Sequence, residues 1–266
     1  MIIASDLDRT LMYSKRALNE LGHSSETKLK PVEMKDGNWV GYMTETAFSD
    51  LKKLSRESLF IPVTTRTTEQ YKRFVIFENE VPLTYAITSN GANILYKGKP
   101  LKEWTEKLFF KMAHETLGLE EFLSTLLNEG YYFDGQLKKV DKLFFYFILN
   151  CLPSSYELSD IRELASSKGW RLSLQGRKLY FIPKLISKGN ALRFICEREG
   201  MEALAGAGDS VLDWDFLKNC RYPFVPKHGE LKEHVDASLF TLTNKLGIAA
   251  GEEILKKMRA SLLMKT

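Results

Sequence analysis

The sequence predicts an α/β protein, built as a Rossmann-like parallel sheet core with a smaller inserted α+β domain. Three short apolar runs, at residues 2–4, 59–63 and 85–88, each end in small polar residues, and helical patterns separate them. This alternation is typical of parallel strands that are joined by right-handed crossovers. Such sheets bind ligands beyond the carboxyl ends of their strands, so we expect the functional site at that edge.

The middle of the chain follows a different pattern. Helical periodicity alternates here with aromatic-rich apolar runs, and short turns such as Gln175-Gly176 favour antiparallel strands. The predicted helices are 105–117, 119–129 and 155–168, and the predicted strands are 143–149, 170–174 and 178–182. We therefore expect a core domain of residues 1–91 and 185–266, interrupted by an α+β domain at 92–184.

The composition indicates a globular protein. Of the 266 residues, 44% are hydrophobic and 27% are charged, which is enough to bury a core. The net charge of +4 is spread over both halves without a basic face, so we expect no nucleic-acid partner. No apolar run approaches the ~20 residues of a membrane helix, and we expect no membrane association. Three widely spaced cysteines argue for reduced thiols and a cytoplasmic location, and the oligomeric state stays open.

Two carboxylates follow the first apolar run directly. Because side chains alternate along a strand, Asp6 and Asp8 should face one pocket while Leu7 turns into the core. Two anions ~4 Å apart repel each other by roughly 4 kcal/mol at an effective dielectric constant of about 20. The pair therefore needs a cation, a shared proton or solvent.

A hairpin and a helix follow this strand end. Residues 32–42 alternate around Asp36-Gly37, a dipeptide that is typical of a two-residue hairpin turn. The hairpin is equally compatible with a flap over the site and with a surface ribbon. Residues 45–57 repeat apolar side chains at helical spacing, and Thr44 is suited to cap that helix.

The second and third apolar runs also end in polar groups. The second leads into Thr64 and Arg66, although Pro62 removes a backbone donor and is normally confined to an edge strand or a bulge. A helical pattern at 68–77 follows. The third run stops just before Asn90. We expect both runs to join the parallel sheet.

The parallel pattern resumes after the insert. Lys188 lies at the start of a helical pattern at 187–199, and a strand at 201–207 leads into Asp209 and Asp213. The last predicted elements are a strand at 222–225 and an amphipathic helix at 242–264. Acidic groups therefore follow predicted strands near both ends of the chain.

The order of these polar groups resembles the motifs of the haloacid dehalogenase superfamily of phosphohydrolases. The matches are Asp-x-Asp-x-Thr at 6–10, a strand-closing Thr at 64, Asn-Gly at 90–91, Lys-Gly-x-Ala-Leu at 188–192 and Gly-Asp-x-x-x-Asp at 208–213. Two positions depart from the family pattern, because Thr65 replaces the glycine of Thr-Gly-Arg and Leu212 replaces a common asparagine. The insert resembles the larger α+β cap domain of the branch that includes sucrose-phosphate and mannosyl-phosphoglycerate phosphatases.

The resemblance implies a role for each matched residue. Asp6 is implied as the nucleophile that forms an aspartyl-phosphate, and Asp8 as the general acid and base. The implied phosphate ligands are Thr64, Thr65, Asn90 and Lys188, the implied metal ligands are Asp6, Asp209 and the carbonyl of Asp8, and the implied supporting residues are Asp213, Thr10 and Arg66. Mg²⁺ is the implied cofactor, because several carboxylates and a phosphate share one pocket only if a hard cation offsets them.

The resemblance predicts a phosphoric monoester hydrolase. Its implied substrate is a small phosphorylated metabolite, in the first place a sugar phosphate, and its implied mechanism is Mg²⁺-dependent hydrolysis through an aspartyl-phosphate. A phosphomutase acting on hexose phosphates is an alternative. A non-catalytic, phosphate-accepting regulatory protein is another.

Overall fold

The computed structural model of the chain describes residues 1–140 and 142–264. The strands are β1 (Ile2–Ser5), β2 (Tyr13–Ser14), β3 (Leu29–Lys35), β4 (Asn38–Thr44), β5 (Leu59–Pro62), β6 (Tyr85–Thr88), β7 (Asn93–Tyr96), β8 (Lys99–Pro100), β9 (Gly135–Val140), β10 (Phe144–Leu149), β11 (Trp170–Gln175), β12 (Lys178–Pro183), β13 (Ala203–Ala207), β14 (Tyr222–Val225) and β15 (Thr241–Leu242). The helices are α1 (Lys15–Leu21), α2 (Glu45–Glu57), α3 (Thr68–Tyr71), α4 (Ile76–Asn79), α5 (Lys102–Glu115), α6 (Leu119–Asn128), α7 (Ser155–Ser167), α8 (Lys188–Glu199), α9 (Trp214–Leu217) and α10 (Gly247–Leu263). Short 3₁₀ turns cover Ser89–Gly91, Val211–Asp213, Glu230–Glu233 and Ala237–Leu239.

The chain divides into two compact units. The core unit consists of Met1–Leu101 and Ser187–Thr266, and the insert unit consists of Lys102–Ile186. The insert unit thus begins at Lys102 rather than at the expected residue 92. The reason is that β7 pairs with β6, and β8 pairs with β7, so both strands belong to the core unit.

A parallel sheet forms the centre of the core unit. Five of the described strands take the order β15-β14-β13-β1-β5, and all neighbours are parallel. The α/β fold class predicted from the sequence is therefore confirmed. Every residue of β1 and β13 is buried, as expected for strands that are covered on both faces. Pro62 lies on β5, the outermost strand of this sheet, where the missing N–H is tolerated.

The third apolar run departs from the expectation. Strand β6 pairs antiparallel with β7, and among the described residues it joins the parallel sheet through a single parallel bridge, between Val63 and Ile87. The chain reverses directly after β6, because Ser89 and Asn90 adopt left-handed φ angles of 50° and 58°. The helical pattern at 68–77 is likewise divided into the short helices α3 and α4.

The predicted hairpin is confirmed as the pair β3 and β4. Asp36 and Gly37 have φ angles of 50° and 76°, which is the geometry of a type I′ turn. Thr44 caps α2 as predicted, since its side chain accepts a hydrogen bond from the N–H of Ala47 at 2.9 Å. Helix α1, which sequence patterns did not indicate, is capped in the same way by Ser14.

The carboxyl-terminal helix begins later than predicted. Residues 241–242 form β15, which extends the parallel sheet beyond β14, and α10 starts only at Gly247. No helix in the described part of the chain is long and apolar enough to cross a membrane.

The insert unit has its own sheet and core. Four of its described strands form an antiparallel sheet in the order β11-β12-β10-β9. Phe122 stacks on Trp170, and Phe145 stacks on Phe181, each with ring centroids 4.9 Å apart. All four rings are buried, so these aromatic side chains form the core of the insert unit between its sheet and α6.

Candidate active site

Asp6 lies at the carboxyl end of β1. Its backbone N–H donates to the carbonyl of Ala207 at 2.8 Å, which continues the pairing of β1 with β13 by one residue. Its buried carboxylate accepts hydrogen bonds from Lys188 Nζ at 2.9 Å and from Thr10 Oγ1 at 3.1 Å. Each oxygen of Asp6 therefore has a donor, and the carboxylate is held in one orientation.

Lys188 is the cation at the centre of the site. It is the first residue of α8, whose amino terminus is capped by the side chain of Ser187. The ammonium group is 1% exposed and also donates to Asp213 Oδ1 at 2.6 Å. Burial alone lowers the pKa of Lys188, but the charges of Asp213 and Asp6 outweigh this effect and raise it above its ordinary value. Lys188 therefore stays charged although it is buried.

Asp213 joins Lys188 to the loop after β13. Its Oδ2 atom accepts hydrogen bonds from the backbone N–H groups of Asp209 and Ser210 at 3.1 and 2.9 Å, and from Ser210 Oγ at 2.9 Å. Gly208 permits this close approach, because an added Cβ would lie 2.4 Å from Asp213 Cβ. Both carboxylate oxygens of Asp213 are thus engaged within the protein.

Three carboxylates converge beside Lys188 at the carboxyl edge of the parallel sheet. One ligand atom each from Asp6, Asp209 and Asp213 lies within 4.8 Å of the other two. Burial, together with the charges of Asp213 and Asp8, raises the pKa of Asp6 to about 7 against the opposing effect of Lys188. Burial and the neighbouring carboxylates also raise the pKa of Asp209 well above its usual range.

These residues fit a divalent cation. The raised pKa values mean that the charged carboxylates are poorly compensated, and a hard cation would relieve them. The available donors are all carboxylate oxygens, which suit a cation of the Mg²⁺ or Ca²⁺ type. Asp213 is the least available of the three, since its carboxylate already accepts four hydrogen bonds whereas that of Asp6 accepts two.

Asp8 is paired with Arg66. Its carboxylate accepts two hydrogen bonds of 2.6 Å, one from Arg66 Nε and one from Nη2. The same guanidinium donates to Glu33 Oε1 at 2.5 Å and Oε2 at 3.1 Å, and it lies 4.3 Å from the ring centroid of Phe74. Arg66 therefore contacts a charged side chain of the site and not only the surface.

The turn after β6 brings Asn90 to the site. Thr64 is fully buried, and its carbonyl accepts the N–H of Asn90 at 3.1 Å. An added Cβ at Gly91 would lie 2.3 Å from the carbonyl oxygen of Ser187, so this turn abuts the start of α8. Within the described residues, the buried amide oxygen and nitrogen of Asn90 have no hydrogen-bond partner. Burying an amide without hydrogen bonds costs free energy. A ligand that forms hydrogen bonds with Asn90 would offset this cost.

Most of the predicted site residues are therefore brought together, but Thr65 is exposed. Sequence patterns missed two contributors, Glu33 and Ser210. The only signal for Glu33 was a charged residue in an otherwise alternating hairpin, and Ser210 had none. Leu212 is buried in the core and directs no polar group to the site.

Comparisons with known proteins give sequence matches over part of the chain and structural matches over nearly all of it. No family model matches the chain. A phosphoglycolate phosphatase from Archaeoglobus fulgidus is 29% identical over 90 residues, which cover 32% of this chain and 40% of that protein. The match thus spans less than half of that relative's length.

Solved structures match over nearly the whole chain. The sucrose-phosphatase from Synechocystis sp. PCC6803, in complex with sucrose and phosphate, has a TM-score of 0.68 and 15% identity over 97% of this chain and 98% of its own. A haloacid dehalogenase-like hydrolase from Bacillus subtilis has a TM-score of 0.57 and 14% identity over 96% and 90%. The chain has the haloacid dehalogenase-like fold. The resemblance predicted from the sequence motifs is confirmed at this level.

Proposed function

We propose that this haloacid dehalogenase-like protein is a Mg²⁺-dependent phosphoric monoester hydrolase. The observation that supports this most directly is the buried Lys188, which bridges Asp6 and Asp213 beside Asp209 at the carboxyl edge of the parallel sheet. The archaeal relative is a phosphoglycolate phosphatase, and the cyanobacterial structure contains sucrose and phosphate. We therefore propose a small phosphorylated metabolite as substrate, with sugar phosphates first.

The reaction is proposed to proceed in two steps. In the first, an oxygen of Asp6 forms a bond to phosphorus while the bond from phosphorus to the leaving oxygen breaks, and Asp8 gives that oxygen a proton. In the second, Asp8 takes a proton from water while the water oxygen forms a bond to phosphorus and the bond from phosphorus to the Asp6 oxygen breaks. Inorganic phosphate leaves, and both carboxyl groups return to their starting states.

The remaining residues are proposed to bind and orient these groups. The proposed phosphate ligands are Thr64, Thr65, Asn90 and Lys188, and the proposed supporting residues are Thr10, Arg66 and Asp213. Asp6, Asp209 and the Asp8 carbonyl would hold Mg²⁺, which when bound offsets the negative charge of the phosphoryl group. Lys188 supplies a second, permanent positive charge beside Asp6.

The insert and the location of the protein complete the proposal. We propose that the inserted α+β domain, expected at 92–184 and observed as the unit Lys102–Ile186, is a cap that selects the leaving group. The compact core unit at the two ends of the chain would supply the chemistry. We propose a cytoplasmic location, consistent with reduced cysteines.

A phosphate-release assay tests the function. The wild-type protein should release inorganic phosphate from members of a panel of sugar phosphates, phosphoglycolate and an aryl phosphate, and a chelator should abolish this release. Asp6→Asn should lower kcat by at least about 10³-fold with an unchanged circular dichroism spectrum. Asp160→Asn, at an exposed position of α7, is the matched control and should keep full activity.

Three outcomes would contradict the proposal. Full activity of the Asp6→Asn variant would exclude Asp6 as the nucleophile. Conversion of hexose phosphates into isomers without phosphate release would indicate a mutase. A stable phosphoprotein without turnover would indicate a regulatory module.

A further inference from the structure

Glu33 is a buried acidic residue outside every motif of the site. It lies on β3, where the pairing with β4 is irregular, and its side chain is 5% exposed. The carboxylate contacts Arg66, and it also lies 3.3 Å from Arg73 Nε. A buried carboxylate is expensive unless it is paired, so this position requires an explanation.

The hairpin of β3 and β4 accommodates the Glu33 side chain through a glycine on the facing strand. Glu33 is opposite Gly41 on β4, and an added Cβ there would lie 2.8 Å from Glu33 Cβ and 2.9 Å from Oε2. The N–H of the next residue, Met34, donates to the carbonyl of Arg73 at 2.9 Å. Backbone and side chain therefore fix the hairpin to the core unit at the same point.

Arg66 is held on three sides. Asp8 and Glu33 accept hydrogen bonds from its guanidinium, and Phe74 packs against its face. Burial lowers the pKa of Arg66, but the two carboxylates more than reverse this effect, and its pKa is raised. These contacts fix the position of the planar guanidinium, and its bidentate hydrogen bonds in turn restrict the orientation of the Asp8 carboxylate.

The orientation of Asp8 depends on this arrangement. The Asp8 side chain is 45% exposed, and Arg66 provides both of the hydrogen bonds that the described structure gives to its carboxylate. Glu33 is the second carboxylate on the same guanidinium, and its Oε1 and Oε2 atoms accept hydrogen bonds from Arg66 at 2.5 and 3.1 Å. Arg66 is therefore also fixed by a residue that takes no part in the proposed proton transfer.

We propose that Glu33 is a positioning residue for proton transfer, which acts through Arg66 to hold Asp8 beside the leaving oxygen. The inference rests on the proposed phosphatase function. It extends the site from the family motifs to the hairpin β3–β4.

The test compares two leaving groups. An alkyl phosphate needs a proton from Asp8, whereas a nitro-substituted aryl phosphate leaves readily as an anion. The parameter is kcat/KM, which reports only the steps up to formation of the aspartyl-phosphate. Glu33→Gln should lower kcat/KM for the alkyl phosphate by at least about tenfold and for the aryl phosphate by less than about twofold.

Two further variants complete the experiment. Arg66→Lys keeps the charge but loses the bidentate contact, and it should show the same selective loss and serve as the test if Glu33→Gln does not fold. Glu80→Gln is the control. It removes the ion pair between Glu80 and Lys30, a residue of β3 whose Nζ lies 2.8 Å from Glu80, and it should leave kcat/KM unchanged for both substrates.

The results separate the inference from the function on which it rests. Suppose that the wild type is active and that both variants, Glu33→Gln and Arg66→Lys, fold. If their kcat/KM then falls equally for the two substrates, or falls for neither, the role of Glu33 is overturned and the phosphatase function stands. A wild type that hydrolyses neither substrate overturns the phosphatase function, and the role of Glu33 with it.

Discussion

Binding of Mg²⁺ should stabilise this protein in a way that depends on Asp209 and on pH. A ligand at a hundred times its Kd stabilises the folded state by about 2.7 kcal/mol. For a chain of this size, that corresponds to an increase in Tm of roughly 5–10 °C. Asp209→Asn removes one of the three carboxylates that converge at the cation position and should abolish the increase. Asp160→Asn should keep it.

The pH dependence follows from the pKa of Asp6. Burial raises this pKa from 3.8 to about 7, so the folded, metal-free protein binds this proton more tightly than the unfolded chain. The resulting stabilisation is present below the unfolded pKa and is lost as the pH rises through about 7. Mg²⁺ requires the charged carboxylate, and therefore its apparent Kd should increase about tenfold for each pH unit below 7.

Differential scanning fluorimetry with a Mg²⁺ titration at about pH 8 and about pH 6 measures both effects, with the pH interval chosen to bracket the Asp6 pKa. Stabilisation of Asp209→Asn equal to that of the wild type would show that the cation binds elsewhere. An affinity that does not change between the two pH values would refute the assigned pKa of Asp6 or its role as a ligand.

Two substitutions test the packing around the site. Lys188→Met leaves the buried carboxylates of Asp6 and Asp213 without their cation, and it should lower the free energy of unfolding by about 3–5 kcal/mol in urea denaturation; a loss below about 1 kcal/mol would contradict the buried ion pairs. Gly91 has a φ of +98°, and an added Cβ there would lie 2.3 Å from the Ser187 carbonyl oxygen, whereas Gly98 has a φ of +75° and open space around it. Gly91→Ala should therefore lower the free energy of unfolding by more than Gly98→Ala. Equal costs in the same assay would show that the contact with Ser187 is relieved.

The part of the site that could be predicted from the sequence is the part that local patterns encode. A short apolar run followed by Asp6 and Asp8 identifies a strand end, and parallel strands bring such ends to one edge. The same reasoning applies to Asp209, and it needs only the type of each element, which apolar periodicity indicates well. Lys188 begins a helical pattern and was predicted to belong to the site only through the resemblance of residues 188–192 to a family motif.

The contacts that were missed depend on tertiary geometry. Glu33 reaches Arg66 only because the hairpin folds back onto the core unit, and no periodicity reports this packing. Strand β6 has the composition of a parallel strand, yet the left-handed turn at Ser89 and Asn90 sends the chain back alongside it. The helix predicted at 242–264 includes Leu242 of β15, because the two residues of this edge strand give no repeating pattern.

The two departures from the family motifs have structural explanations. Glycine is needed where φ is positive, but Thr65 is absent from the described residues with such angles, so threonine is accommodated without backbone strain. Leu212 is buried in the core, while Asp213 accepts the hydrogen bonds of the loop through Asp209 and Ser210. The loop is thus held without a polar side chain at position 212. Neither departure removes a contact of Asp6 or Lys188, so neither gives a physical reason to expect an inactive protein.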